Sequence, residues 1–147
     1  MMERKGIFSI SKSFQKIIPY WNLPPKEAII NFDGDPLKAT SLRYKVFHNS
    51  LKCCICGIEG KYFAKERSLP AVSDKFHLNL YALDEKGNEV LMTKDHIIPK
   101  SKRESDNLEN MQTMCERCNF RKGNNMEKKD VFKGHYRRNR KIGETVS

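Results

Sequence analysis

Two Cys-x-x-Cys pairs, Cys53/Cys56 and Cys115/Cys118, constrain this chain more than any other feature. A two-residue spacer in a tight turn lets both sulfurs of a pair reach one tetrahedral ion at about 2.3 Å. Gly57 follows the first pair, as suits a turn of this kind, because glycine takes positive φ without a Cβ clash. Residues 57–114 lie between the pairs, more than a common zinc ribbon holds, so an insertion is implied. Four ordinary buried thiols, or a redox Cys-x-x-Cys, are the alternatives. Two matched pairs favour a structural zinc. Cys54 is the odd thiol, and because Cys54 to Cys56 leaves a one-residue spacer and a strained turn, Cys53 is assigned as the ligand. A site of four thiolates has no open coordination position, so it holds the fold and any chemistry lies elsewhere.

Composition sharpens this. The chain has 147 residues, enough for one domain with extensions, yet only 38% are hydrophobic and 31% are charged. A core of that composition benefits from an internal staple. The formal net charge of +10 favours a polyanionic partner, nucleic acid before an anionic membrane surface, although a solvated surface would need the same residues. No run approaches the roughly 20 apolar residues that cross a bilayer. The N-terminus lacks the apolar core and cleavage site of a signal peptide, so a cytoplasmic location is expected, where thiols stay free to bind metal.

Along the chain, residues 1–25 read as a basic, aromatic-dotted arm ending in Leu23-Pro24-Pro25, and residues 26–50 as a helical lead-in. Pro24 and Pro25 can open a helix over Lys26 to Ile30 that Asp33-Gly34-Asp35-Pro36 would end. Leu42, Val46 and Phe47 predict a second helix between Leu37 and Asn49. Lys61 to Ser68 is charged and ambiguous. Phe76, Leu78, Leu80 and Ala82 alternate as one face of a half-buried strand, Asp84 to Asn88 is a turn, and Val90 starts a return strand. A short strand over Asn110 to Met114 and a helix from Glu116 to about Gly123 follow, and residues 129–147 form a basic tail.

Between the cysteine pairs stands Asp95-His96-Ile97-Ile98-Pro99. After it come Leu108-Glu109-Asn110-Met111-Gln112, then Cys115-Glu116-Arg117-Cys118-Asn119-Phe120-Arg121-Lys122-Gly123. In this order, over residues 53–56 and 92–124, the chain closely resembles the HNH nuclease family. The resemblance implies an α+β fold: a small ββα-metal core over residues 51–128 with a four-cysteine zinc site, an inserted β-hairpin and N-terminal helices. It also implies roles. His96 would be the general base, Asp95 and Asn119 would ligate a divalent cation (Mg²⁺ or Mn²⁺), and Asn110 would tie down the loop that aims His96. Imidazole titrates near physiological pH and hard cations prefer oxygen ligands, so the residue types suit the task.

Where the family often has a Gly-rich segment, this chain reads Lys102-Arg103-Glu104-Ser105. Lys100, Lys102 and Arg103 offer phosphate contacts there, or simply a solvated loop. Arg121 and Lys122 are placed for flanking phosphates, and Arg137, Arg138 and Arg140 for an electrostatic grip by the tail. His48, His77 and His135 read as surface or packing residues. The expected activity is metal-dependent cleavage of DNA, or failing that RNA, by a monomer or homodimer without membrane contact. Small proteins of this type are frequent in phages, as the resemblance implies. A non-catalytic zinc module that binds nucleic acid is the main rival, and a protein-interaction zinc domain the third reading.

Overall fold

The computed structural model describes residues 1–98 and 107–126. The strands are β1 (Met2–Phe8), β2 (Ile29–Phe32), β3 (Asp35–Lys38), β4 (Gly60–Ser68), β5 (His77–Leu83), β6 (Glu89–His96) and β7 (Met111–Cys115). The helices are α1 (Ile10–Ile17), α2 (Leu42–Asn49) and α3 (Glu116–Met126). The fold is therefore mixed α+β with antiparallel sheets, as the sequence suggested. A five-stranded sheet runs β1-β4-β5-β6-β7, and β2 and β3 form a separate hairpin. No helix among the described residues is long and apolar enough to cross a membrane.

The first 25 residues correct one expectation. They do not form an irregular arm, because β1 pairs antiparallel with β4 and α1 follows directly. Charges that suggest a free arm are matched in β1 across the strands. Glu3 lies opposite Arg67 and Arg4 opposite Glu66, and both pairs form ion pairs, at 2.8 and 2.6 Å. Arg4 also grips Glu89 through both terminal nitrogens, at 2.9 and 3.0 Å. Gly6, at φ 110, supplies the irregularity that shifts the register between Arg4 and Ile7.

The helix expected between Leu37 and Asn49 is α2 only from Leu42, because Leu37 and Lys38 pair in β3. Two further segments differ from or resolve the sequence reading. Lys26 to Ile30 is not a helix; a short 3-10 turn over Pro25–Glu27 leads into β2, and Asp33-Gly34 turns the β2–β3 hairpin rather than ending a helix. The ambiguous charged stretch from Lys61 to Ser68 lies within β4, and pairs with strands on both sides. Its charges are tolerated because they are satisfied. Buried Lys65 donates to the carbonyls of Phe32 and Asp33, at 2.8 and 3.0 Å, and pairs with Asp35 at 2.8 Å. Buried Glu66 accepts from Arg4, Asn79 and Tyr81. A buried charge left without such partners would be strongly destabilising.

The strand read at 76–82 is β5, which runs from His77 to Leu83 with Phe76 just before it. Phe76, Leu78, Leu80 and Ala82 are all buried, and the last three join Phe14, Ile17, Tyr44, Phe47 and Phe63 in one core. The Phe63 ring meets Phe14 edge-on at 5.5 Å, with Tyr44 and Phe47 each at 6.4 Å. Fully burying a side chain of this size contributes about 1.5–3 kcal/mol. Trp21 packs on the same cluster from the 3-10 turn after α1.

What positions the site is the behaviour of β6. Its first half pairs with β5, through Glu89, Val90 and Leu91. Its second half, Met92 to His96, pairs with β7. Beyond the β5–β6 contact, Tyr44 of α2 accepts a hydrogen bond from the Leu78 N–H at 2.9 Å and so satisfies a donor on β5. The β6–β7 pair then continues without a loop into α3.

Candidate active site and thiolate cage

The Cys-x-x-Cys spacers occupy different local structures. Cys115 ends β7 and Cys118 lies in the first turn of α3, so the second pair straddles a strand–helix junction. The first pair sits in a turn closed by Gly57 N–H to Cys53 O at 3.0 Å and by Cys53 N–H to Ile58 O at 2.8 Å. Gly57 has φ 82, the left-handed conformation anticipated for it. The Cys54 N–H donates to Thr113 O at 2.9 Å and holds this turn against β7. The sulfurs of Cys53, Cys56, Cys115 and Cys118 all lie within 4.8 Å of one another. Cys56 and Cys115 are 3.8 Å apart at sulfur. A tetrahedral ion with bonds of about 2.3 Å places its ligands about 3.8 Å apart, so the cluster has the dimensions of a metal site. Cys54 stands outside it, exposed, in agreement with the choice of Cys53.

Donors surround the sulfurs. Ile55 N–H points to Cys53 Sγ and Cys118 N–H to Cys115 Sγ, each at 3.4 Å, and Arg121 donates to Cys118 Sγ at 3.0 Å. Burial pushes the Cys115 and Cys118 thiols up. Burial acts the same way on Cys53, but backbone N–H groups, that of Ile55 among them, outweigh it and bring the thiol down to about 6. A thiolate is thus already favoured at one corner, and a bound cation would favour it at the rest.

Asp95 and His96 close β6, as the sequence reading placed them. Alternation along a strand puts Thr93 and Asp95 on one face. That face meets α3, whose Asn119 and Lys122 are three residues apart and so lie on one side of the helix. Asn119 Nδ2 donates to Thr93 Oγ1 at 3.0 Å, and Lys122 Nζ reaches Asp95 Oδ2 at 2.5 Å. The same ammonium donates to the His96 carbonyl at 3.1 Å. Asp95 Oδ2 also accepts from Gln112, its register partner on β7, at 3.2 Å. His96 is half-buried, opposite Met111.

Asn110 clasps the chain just beyond His96. Its amide oxygen accepts from Ile98 N–H at 2.9 Å, its amide nitrogen donates to Ile98 O at 3.1 Å, and its backbone carbonyl accepts from Ile97 N–H at 2.8 Å. Three bonds from one residue fix the exit of β6.

Other residues fall differently. Lys122, expected at flanking phosphates, has its ammonium on Asp95 itself, while Arg121 is exposed beside the cage. Lys100, Lys102, Arg103, Arg137, Arg138 and Arg140 lie outside the described residues, as does His135. His48 packs edge-on to Phe14 and Trp21, at 4.9 and 5.3 Å. His77 is half-buried on β5, and its pKa is lowered by that burial and by Arg43. The sequence reading gave no role to Thr93, Gln112 or Glu116. Buried Glu116 accepts from Leu91 N–H at 2.9 Å and ties the start of α3 to β6. Period-two spacing from Asp95 was the available signal for Thr93.

The donor chemistry suits two different ions. Four clustered thiols fit a soft or borderline metal with a closed shell, while a carboxylate and an amide fit a hard cation whose other positions stay open. Neither the curated proteins nor the solved structures yield a match to the chain. Residues 82–125, which carry β6, β7, the second cysteine pair and the start of α3, match the family model of HNH endonuclease, the family that the motifs resemble.

Proposed function

We propose that this protein is a metal-dependent endonuclease that hydrolyses phosphodiester bonds of DNA, with His96 as general base. One observation carries the reading: α3 sets Asn119 on Thr93 and Lys122 on Asp95, along the β6 face that ends where Asn110 pins the backbone leaving His96. Asp95 and Asn119 would hold a divalent cation, Mg²⁺ or Mn²⁺, which when bound neutralises charge developing on the phosphate and the leaving oxygen. With only two protein ligands, such a cation would keep positions for phosphate oxygens and water.

In this scheme His96 accepts a proton from a water molecule. The water oxygen forms a bond to phosphorus as the bond from phosphorus to the leaving sugar oxygen breaks, and solvent returns a proton to that oxygen. Gln112 steadies Asp95. Lys122, now on Asp95, would exchange that contact for a phosphate oxygen once substrate and cation bind. A zinc ion held by Cys53, Cys56, Cys115 and Cys118 would have no open position and would tie β7, α3 and the Cys53 turn together. The net charge of +10 supports a nucleic-acid substrate, and binding that rests on phosphate contacts weakens steeply with salt. A monomer with one site would nick; a homodimer could cut both strands.

The test is conversion of supercoiled plasmid to nicked or linear form with Mg²⁺, with Mn²⁺ and with EDTA. Cleavage that requires the added divalent ion is the expected result. DNA binding without cleavage under every metal condition would instead assign the protein as a non-catalytic nucleic-acid-binding module.

A further inference from the structure

We infer that Thr93 is a positioning residue for the catalytic cation: its hydroxyl sets which end of the Asn119 amide faces the site. The inference rests on the reading of Asn119 as a cation ligand. Everything turns on the single proton of the hydroxyl. Thr93 Oγ1 donates to the carbonyl of Met114, its register partner on β7, at 2.7 Å. With that proton committed, the oxygen has only lone pairs to offer. It can therefore accept from Asn119 but not donate to it, so the amide must present its nitrogen to Thr93, as it does at 3.0 Å. The amide oxygen is thereby turned away from Thr93 and kept for a cation. Without this lock the two ends of the amide are nearly isosteric. Half of the orientations would then aim an N–H group, which repels a cation, at the metal position.

The carbonyl of Met114 belongs to the strand that enters the cysteine cage one residue later. The chain Met114–Thr93–Asn119 thus links the rigid β7–cage junction to a ligand of the open site. Nothing in the Leu-x-Asn-x-Gln or Cys-x-x-Cys-Asn patterns marks residue 93 for this task. Outer-shell partners of metal ligands of this kind typically change affinity by about 10- to 100-fold when removed.

The test measures Mn²⁺ binding by calorimetry to the zinc-loaded full chain without DNA, so that no step of cleavage enters. Thr93→Val keeps the shape and removes the hydroxyl; it is expected to weaken Mn²⁺ binding about tenfold. Thr93→Ser keeps the hydroxyl and should bind within about threefold of wild type, by the same scale. Asn119→Ala should weaken binding at least as much as Thr93→Val. Adding Thr93→Val to Asn119→Ala should cost nothing more, because a residue that acts through Asn119 has nothing left to orient. If Thr93→Val binds Mn²⁺ like wild type while Asn119→Ala does not, or if its loss recurs in full in the Asn119→Ala background, the inference is overturned and the ligand reading stands. If Thr93→Ser fails to restore binding, the hydroxyl is not the cause and the inference is likewise overturned. If Asn119→Ala binds like wild type, the ligand reading itself fails. Should Thr93→Val not fold, Thr93→Ala takes its place with the same expectations.

Discussion

The thiolate cage and the Asp95 site share α3 and the β6–β7 pair, yet they are built on opposite principles. In the cage, four like groups converge on a point, and Cys53, Cys115 and Cys118 are buried. At the Asp95 site unlike groups meet, partly exposed, and each is oriented by a neighbour: Asp95 by Gln112 and Lys122, Asn119 by Thr93, the exit of His96 by Asn110. Closure suits an ion that must stay; openness suits one that must share its shell with a substrate. The difference teaches that the cage needs only its ligands in the right place, whereas in our reading the open site depends on residues that would never touch its ion.

The largest expected effect follows from closure. Cys118→Ser should release the cage metal and unfold the domain, because structural zinc contributes about 10–16 kcal/mol in small modules, comparable to a whole domain's stability. Circular dichroism with metal analysis checks this. A variant that loses its metal and keeps its melting temperature would erase the distinction between the two sites.

The next effect belongs to the open site. Asn110→Ala strips both amide partners from the Ile98 backbone and should cost about 1–3 kcal/mol. Plasmid cleavage should fall with it while the cage keeps its metal. Loss of metal in this variant would mean that the two regions are not separable.

A smaller effect, of opposite sign, is expected at Lys122. Its ammonium sits on Asp95, a ligand in our reading, and so competes with a divalent cation. A partly exposed ion pair contributes up to about 1 kcal/mol, so Lys122→Met should tighten Mn²⁺ binding by up to about fivefold. Cleavage should nonetheless drop if the ammonium moves to phosphate. Unchanged Mn²⁺ affinity, measured by calorimetry, would remove Lys122 from the site.

The smallest effect lies away from both regions, where Glu89 binds Arg4 and Tyr62. Burial tends to raise the Glu89 pKa, but the bonds from Arg4 and Tyr62 outweigh it and hold it below the ordinary carboxylate value. A carboxylate held low contributes stability at neutral pH that is lost as pH falls through its folded pKa. Glu89→Gln should thus lower stability at pH 7 by no more than about 1 kcal/mol and flatten the acid limb of the stability curve. Urea titrations at several pH values decide it.

How much of this was legible beforehand follows the range of the interactions. The cage could be read because two short spacers report local turns, and Asp95, His96, Asn110 and Asn119 became candidates because their motif order is distinctive. The strand at 76–82 was plain from alternation. The N-terminal strand was not, because the partners that neutralise Glu3 and Arg4 lie on β4 and β6, far along the chain. β4 stayed ambiguous for the same reason: nothing within Lys61 to Ser68 shows the partners that let Lys65 and Glu66 be buried. Period-two spacing puts Thr93 on the face of Asp95, but its bond to Met114 and the place of Gln112 needed the β6–β7 register, which no spacing within one strand reveals.

The central claim is that His96 does chemistry while the cysteines hold the fold. Its most direct test is the His96→Ala variant, followed for plasmid cleavage, bound zinc and melting temperature in the same preparation. We predict a fall in cleavage of about 10²- to 10⁴-fold, the usual contribution of a general base, with zinc content and melting temperature unchanged. Cleavage at the wild-type rate by this variant would contradict the account.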